Sequence, residues 1–331
     1  MAVRLGIDMG GTKIEGVALN DEGNALVRLR APTPRGEYRA IVETVAEVVG
    51  RVDAAAADQA QVLETVGVGH PGVVSPATGL VKNANSTALI GKPLHLDLTE
   101  RLGRPVVLRN DADCFALSES TDGAAAGAET VFGVIIGTGV GGGVVVRGRL
   151  VEGPNAIAGE WGHNPLPWPS PDELPGQPCY CGKRGCIETW LSGPGLAADH
   201  LRTTGVKIEP PDLLRLAGNG DRDASATLDR YIDRLARSLA TIINVLDPEV
   251  IVLGGGLSNV PLLYDGVPRL WGSYVFSDRV TTRLVPNHHG DSSGVRGAAM
   301  LVRGRRDRSE RRGDSGRAAA NHPPPTPPSP G

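Results

Sequence analysis

The chain has 331 residues, with 34 lysines and arginines against 37 acids, a formal net charge of −3, and 4% aromatics. That balance excludes a dedicated nucleic-acid or membrane-surface binder, and so few rings leave no stacking platform for bases. The length allows two domains with separate cores, and no apolar run approaches the ~20 residues that span a bilayer.

Four cysteines and a start, Met1-Ala2-Val3-Arg4-Leu5, without an apolar leader core predict a cytoplasmic protein. Glycine stands at 45, about twice its usual share. Many glycines follow apolar runs, where backbone turns sharply or approaches a ligand. Residues 3–7 and 14–19 read as strands of a hairpin joined by a Gly-rich connection. A turn at Asn20-Asp21-Glu22-Gly23 leads to a third strand. Helical periodicity covers 38–52, and a buried strand at 65–68 runs into His70-Pro71-Gly72. Another strand, 106–108, ends at Asn110-Asp111 before a helix over 112–120.

The pattern then recurs. A strand at 132–136 enters a second Gly-rich turn and leaves along 144–146. A long amphipathic helix over 228–246 stops at Asp247-Pro248. The strand 250–253 runs into Gly254-Gly255-Gly256. Two similarly built α/β halves are expected. Residues 303–331, rich in arginine and acids and finishing in prolines, read as a disordered tail.

Several constellations carry chemistry. In Asp8-Met9-Gly10-Gly11-Thr12-Lys13, small residues free backbone N–H groups for phosphate oxygens, and Asp8 can hold a hydrated Mg²⁺. The Walker A spacing is missing, and an ordinary glycine hairpin would look similar. Gly137-Thr138-Gly139-Val140-Gly141 supplies a second such turn, suggesting opposing clamps on one polyphosphate. Bare backbone at Gly254, Gly255 and Gly256 would let an adenine ring lie close, although a plain strand-to-helix turn reads alike.

Asp111 opens a helix, the place of an N-cap and also of a base that takes a proton from a sugar hydroxyl. Asn110 offers a donor and an acceptor to sugar hydroxyls. Glu160, His163 and Glu188 bracket Cys179-Tyr180-Cys181-Gly182-Lys183-Arg184-Gly185-Cys186. An odd cluster of cysteines cannot close into disulfides on its own. His163, Cys179, Cys181 and Cys186 instead complete a closed tetrahedral zinc site of the structural kind. Cys114 reads as a buried apolar residue.

With these residues assembled, the chain resembles the ROK family of sugar kinases, in the actin/hexokinase-like (ribonuclease H-like) superfamily. The resemblance covers residues 3–302 and rests on Gly6-Ile7-Asp8-Met9-Gly10-Gly11-Thr12-Lys13, Gly137-Thr138-Gly139, Glu160-Trp161-Gly162-His163 and the cysteine motif through Glu188. It implies two α/β domains with a cleft between them: 1–118, completed by a helix near 294–302, and 119–293 with the zinc loop.

The resemblance makes Asp111 the catalytic base. It assigns Asn85, Asn110, Glu160, His163 and Glu188 to the sugar, with Pro71-Gly72 beside it. ATP falls to residues 6–13, to Gly133, Val134, Ile135, Ile136, Gly137, Thr138, Gly139 and Val140, and to 254–256. MgATP and a hexose as partners, a structural Zn²⁺ and a homodimer follow from the same likeness. Asp113 stands where the family usually has Asn, and a second carboxylate there is expected to raise the pKa of Asp111. Lys82-Asn83-Ala84-Asn85-Ser86-Thr87, the segment from Glu160 to Trp168 and the segment from His289 to Gly297 look most like the bacterial fructokinase (mannokinase) branch. N-acetylglucosamine, glucose and mannose kinases are the alternatives within the family. Sugar-responsive transcriptional regulators of the same family are the alternative of another class. Those carry an N-terminal DNA-binding domain, whereas this sequence starts at the first ATPase strand.

Overall fold

The structure, a computed structural model, describes residues 2–57, 61–84 and 86–302, so Asn85 and the predicted tail 303–331 lie outside the described residues. The first hairpin is β1 (Ala2–Met9) and β2 (Lys13–Leu19), followed by β3 (Ala25–Pro32) and α1 (Tyr38–Ala56). Next come β4 (Gln61–His70), the two-residue β5 (Val73–Val74) and β6 (Val81–Lys82), and α2 (Leu94–Leu102). β7 (Val106–Asn110) runs directly into α3 (Asp111–Thr121).

The second half opens with β8 (Thr130–Ile136), β9 (Val140–Val146) and β10 (Arg149–Leu150). A long irregular stretch leads to α4 (Glu188–Leu191), α5 (Gly193–Thr204), α6 (Pro210–Gly218) and α7 (Arg222–Leu246). The final elements are β11 (Val250–Gly254), α8 (Leu262–Trp271), β12 (Arg283–Pro286) and α9 (Ser293–Met300).

Two five-stranded sheets result, ordered β3-β2-β1-β4-β7 and β10-β9-β8-β11-β12. In each, an antiparallel meander is extended by two parallel strands, so the predicted recurrence and the α/β class are what the structure shows. α7 starts at Arg222 rather than 228, because Asp221 caps it by accepting from the Ala224 N–H at 2.9 Å. The sequence reading did not anticipate α5, α6 and α8.

α1 lays Ile41, Val45, Val48 and Val52 against Ile7 and Ile14 on one face of the first sheet. α9 covers the other face, and it sits close because β1 and β4 have glycine there. A Cβ on Gly6 would lie 2.3 Å from Ala299 N, and one on Gly67 1.8 Å from Ala298 O.

α3 packs the other way. Its Phe115 and Ala116 join Val131, Val145, Val250 and Val252 of the second sheet. The expected boundary at 118 falls within α3, which packs against the second sheet on one side and against α9 on the other. α3 and α9 in turn touch each other, with Gly297 pressed against the backbone of the buried Cys114. Asp111, at the head of α3, therefore stands at the junction of the two halves. Among the described residues no helix is long and apolar enough to cross a membrane.

Candidate active site

β1, β4 and β7 run parallel, with Asp8 in register beside Gly69 and His70 beside Asn110. Their carboxyl ends therefore bring Asp8, Pro71-Gly72 and Asn110-Asp111 to one edge, where open α/β sheets bind ligands. A cavity of about 390 Å³ opens there. Pro71, Gly72, Asn83, Asn110 and Asp111 line one wall, and Ile135, Thr138, Gly139, Glu160, His163, Tyr180 and Glu188 the other. The structure thus gathers most of the predicted sugar residues, while Asn85 lies outside the described residues.

The N-cap is Asn110, not Asp111. Its Oδ1 accepts from Ala112 N at 2.9 Å, and its Nδ2 donates to Gly72 O at 3.0 Å. Both functions expected to serve the sugar are thus already engaged in shaping the site. Asp111 is the first helical residue, and its Oδ1 shares the Ala112 N–H at 2.9 Å. Burial raises its carboxyl to about 6, opposed by the Ala112 N–H and reinforced by the Glu160 carboxylate. Asp111 is therefore mostly ionised at neutral pH, as a base must be before it accepts a proton.

Asp113 is raised as well. Burial lifts it to about 7; Arg109 opposes this, and Glu152, Asp111 and Glu160 add to it. Its repulsion with Asp111 is mutual, and Glu160 adds to the rise of both carboxyls. A sign follows: kcat/KM should fall as pH drops through about 6, where Asp111 gains its proton. Glu160→Gln should move that acid limb to lower pH, and a limb left in place would refute the assignment.

Asp8 is raised to about 7, first by burial, then by Asp111 and Glu15, with Lys13 opposing. Among the described residues no cation lies within ion-pair distance of it. Two neighbouring carboxylates short of positive charge fit Mg²⁺, which prefers hard oxygen ligands.

The glycine segments divide by face, since strand side chains alternate. Ile7 and Met9 are buried in the first core, and Val134 and Ile136 in the second. Gly6 and Gly133 are small to admit α9 and α3, a Cβ on Gly133 falling 2.6 Å from that of Ala116. These six predicted nucleotide residues build the scaffold, so only their backbone could reach a ligand. Of the other predicted nucleotide residues, Ile135, Thr138, Gly139 and Val140 line the cavity, and Asp8 is close enough to Asp111 to feel its charge.

Gly254 and Gly255 likewise answer to packing. A Cβ on Gly254 would meet the Phe115 ring at 2.5 Å, and one on Gly255 the Ile136 carbonyl at 2.4 Å. Gly255 also has φ +83°. Only Gly256 of the three faces open space, leaving room for a flat ring.

The ligand atoms of His163, Cys179, Cys181 and Cys186 all lie within 4.8 Å of one another. His163 Nδ1 is 3.5 Å from Cys179 Sγ, and Cys181 Sγ is 3.6 Å from Cys186 Sγ. Sulfurs on a tetrahedral zinc with bonds of about 2.3 Å would be about 3.8 Å apart, so the set fits Zn²⁺. Four donors leave no open position. The other ring nitrogen of His163 faces the cavity, and Glu188 heads α4 two residues after Cys186. Glu188 Oε2 accepts from Val140 N at 2.9 Å, which ties the cysteine loop to the second glycine turn.

One supporting group had no sequence signal. Arg234 and Arg237, on the buried side of α7, both hold Glu173, at 2.7 and 2.9 Å. Arg234 also reaches Asp199 and lies 4.5 Å from the Trp190 ring centroid. Burial works against ionisation of Glu173, yet these arginines hold its carboxyl down to about 2. The network clamps the loop ahead of the cysteines to α5 and α7. Removing one partner would strand a buried charge.

Known proteins carry the same architecture. The fold is that of sugar kinases of the actin/hexokinase-like class. The chain is similar to a ROK hexokinase from Thermus thermophilus, 31% identical with a TM-score of 0.79, over 91% of this chain and 97% of that one. It is also similar to a ROK family glucokinase from Streptomyces griseus, solved with glucose and AMPPNP. That match is 28% identical with a TM-score of 0.74, over 91% and 99% of the two chains. Residues 4–305 match the model of the ROK family, and the chain belongs to that family. Among curated relatives is an N-acetyl-D-glucosamine kinase from Pectobacterium atrosepticum. It is 40% identical over 300 residues, which are 89% of this chain and 97% of that protein.

Proposed function

We propose that this sugar kinase transfers the γ-phosphoryl group of MgATP to the 6-hydroxyl of a hexose, with D-fructose preferred. The observation that carries the reaction is the place of Asp111 on the cavity wall while Asn110 does the capping. Asp111 takes the proton of the 6-hydroxyl as that oxygen bonds to the γ-phosphorus, and the bond to the ADP oxygen breaks. N–H groups of the two glycine turns would orient the phosphates, and Asp8 would hold Mg²⁺, which neutralises phosphate charge. Closing the halves about the α3–α9 junction would exclude water as a competing acceptor.

His163, Glu160 and Glu188 would hold sugar hydroxyls, with zinc as a brace rather than a participant. The fructose preference is supported by the likeness of residues 82–87, 160–168 and 289–297 to the fructokinase branch. N-acetylglucosamine is the second reading, favoured by relatives such as the Pectobacterium enzyme. An ADP-release assay over fructose, mannose, glucose and N-acetylglucosamine should give its highest kcat/KM with fructose. Turnover of the amino sugar alone would overturn the fructose preference and keep the kinase. No turnover with any hexose would overturn the kinase reading in favour of a sugar-responsive regulator. The homodimer is part of the same proposal, and light scattering of the purified chain tests it.

A further inference from the structure

Tyr180 lies between two cysteines of the metal set, yet its side chain is 64% exposed. Its ring stands edge-on to His163, centroids 5.1 Å apart and planes at 89°. Its hydroxyl lies 3.0 Å from His163 Nε2. Nδ1 of the same ring is turned to Cys179 Sγ, so Nε2 is the nitrogen left to face the cavity. A ring nitrogen has one hydrogen-bonding position. It serves Tyr180 or a sugar hydroxyl, not both.

Tyr180 also stands at a boundary. Beyond the 390 Å³ cavity lies an outer hollow of about 800 Å³, and Tyr180 lines both, together with Asn83, Glu160 and His163. The ring therefore stands on the border between the hollow and the cavity that holds Asp111.

We infer that Tyr180 is an exchangeable plug: its hydroxyl holds His163 Nε2 in the empty site and gives that position up to a hexose hydroxyl. The inference rests on the kinase reading of the cavity. An exposed ring on one side of the hollow can swing outward without disturbing a core, so the exchange requires no refolding. Its cost is one hydrogen bond, which the incoming sugar replaces. The plug therefore subtracts from sugar affinity and leaves the chemical step alone.

Tyr180→Phe keeps the ring and removes the competing oxygen. Titration calorimetry with D-fructose, or with the hexose that the wild type turns over best, should then show a Kd about 2- to 10-fold lower. KM for that hexose should fall in parallel with kcat unchanged. Tyr180→Leu, which also removes the edge-on ring contact, should shift in the same direction, with zinc content equal to wild type in both. Unchanged or weaker binding in the two variants overturns the exchange. If the wild type binds no hexose, the kinase reading falls and the exchange with it.

Discussion

Asp111→Asn should lower kcat by about 10²- to 10⁴-fold, the usual worth of a positioned general base. Nucleotide should still bind. Asparagine has the shape of aspartate, and its oxygen can still accept from Ala112 N, which Asn110 caps in any case. Folding should therefore survive, and the loss reports the missing proton acceptor. Whatever activity remains should also lose the acid limb near pH 6, because the group that titrates there is gone. A coupled ADP assay across pH, beside calorimetry with an ATP analogue, reads both effects. Near-normal kcat in this variant would refute Asp111 as base.

Chelating the metal should damage sugar binding before nucleotide binding. His163 and Glu188 owe their positions to the cysteine loop, His163 as a ligand and Glu188 by its place just past Cys186. Losing one neutral and one charged hydrogen bond would cost about 2 kcal/mol or more. Hexose affinity should then fall by about 30-fold or more. The glycine turn at 10–12 belongs to the other half and should keep its nucleotide contacts.

The clamp from Arg234 and Arg237 onto Glu173 does not depend on metal. Disorder should accordingly be confined to the segment after Glu173, up to Glu188. Hydrogen exchange and limited proteolysis of the metal-free protein would show this. Equal loss of nucleotide and sugar binding would mean that the metal supports the whole second half rather than one wall of the site.

The reaction class and the candidate metal set were legible because the signals are local. A cysteine set with a histidine upstream, a strand ending in Asn-Asp and two strand-bounded glycine turns each occupy a few adjacent residues. Strand alternation is equally local, and inside the glycine segments it turns the side chains of Ile7, Met9, Val134 and Ile136 into the two cores. The reach of Glu160 to Asp111 and the grip of Arg234 on Glu173 had no such signal. They join residues 49 and 61 positions apart, and no spacing rule spans that distance.

Read alone, the sequence determined the α/β class and the doubled hairpin-and-strand pattern, and it singled out the candidate metal set and the candidate base. Each depends on residue type and short spacing, which local backbone geometry converts directly into structure. Tertiary packing decided the rest. It made Asn110 the cap, packed α3 between α9 and the second sheet, and assigned Gly6, Gly133 and Gly254 to helix packing. It also brought the Glu160 charge to Asp111 and set the Tyr180 hydroxyl beside His163. Such outcomes depend on which distant surfaces meet and on how far apart charges come to rest. Those distances exist only once the chain has folded.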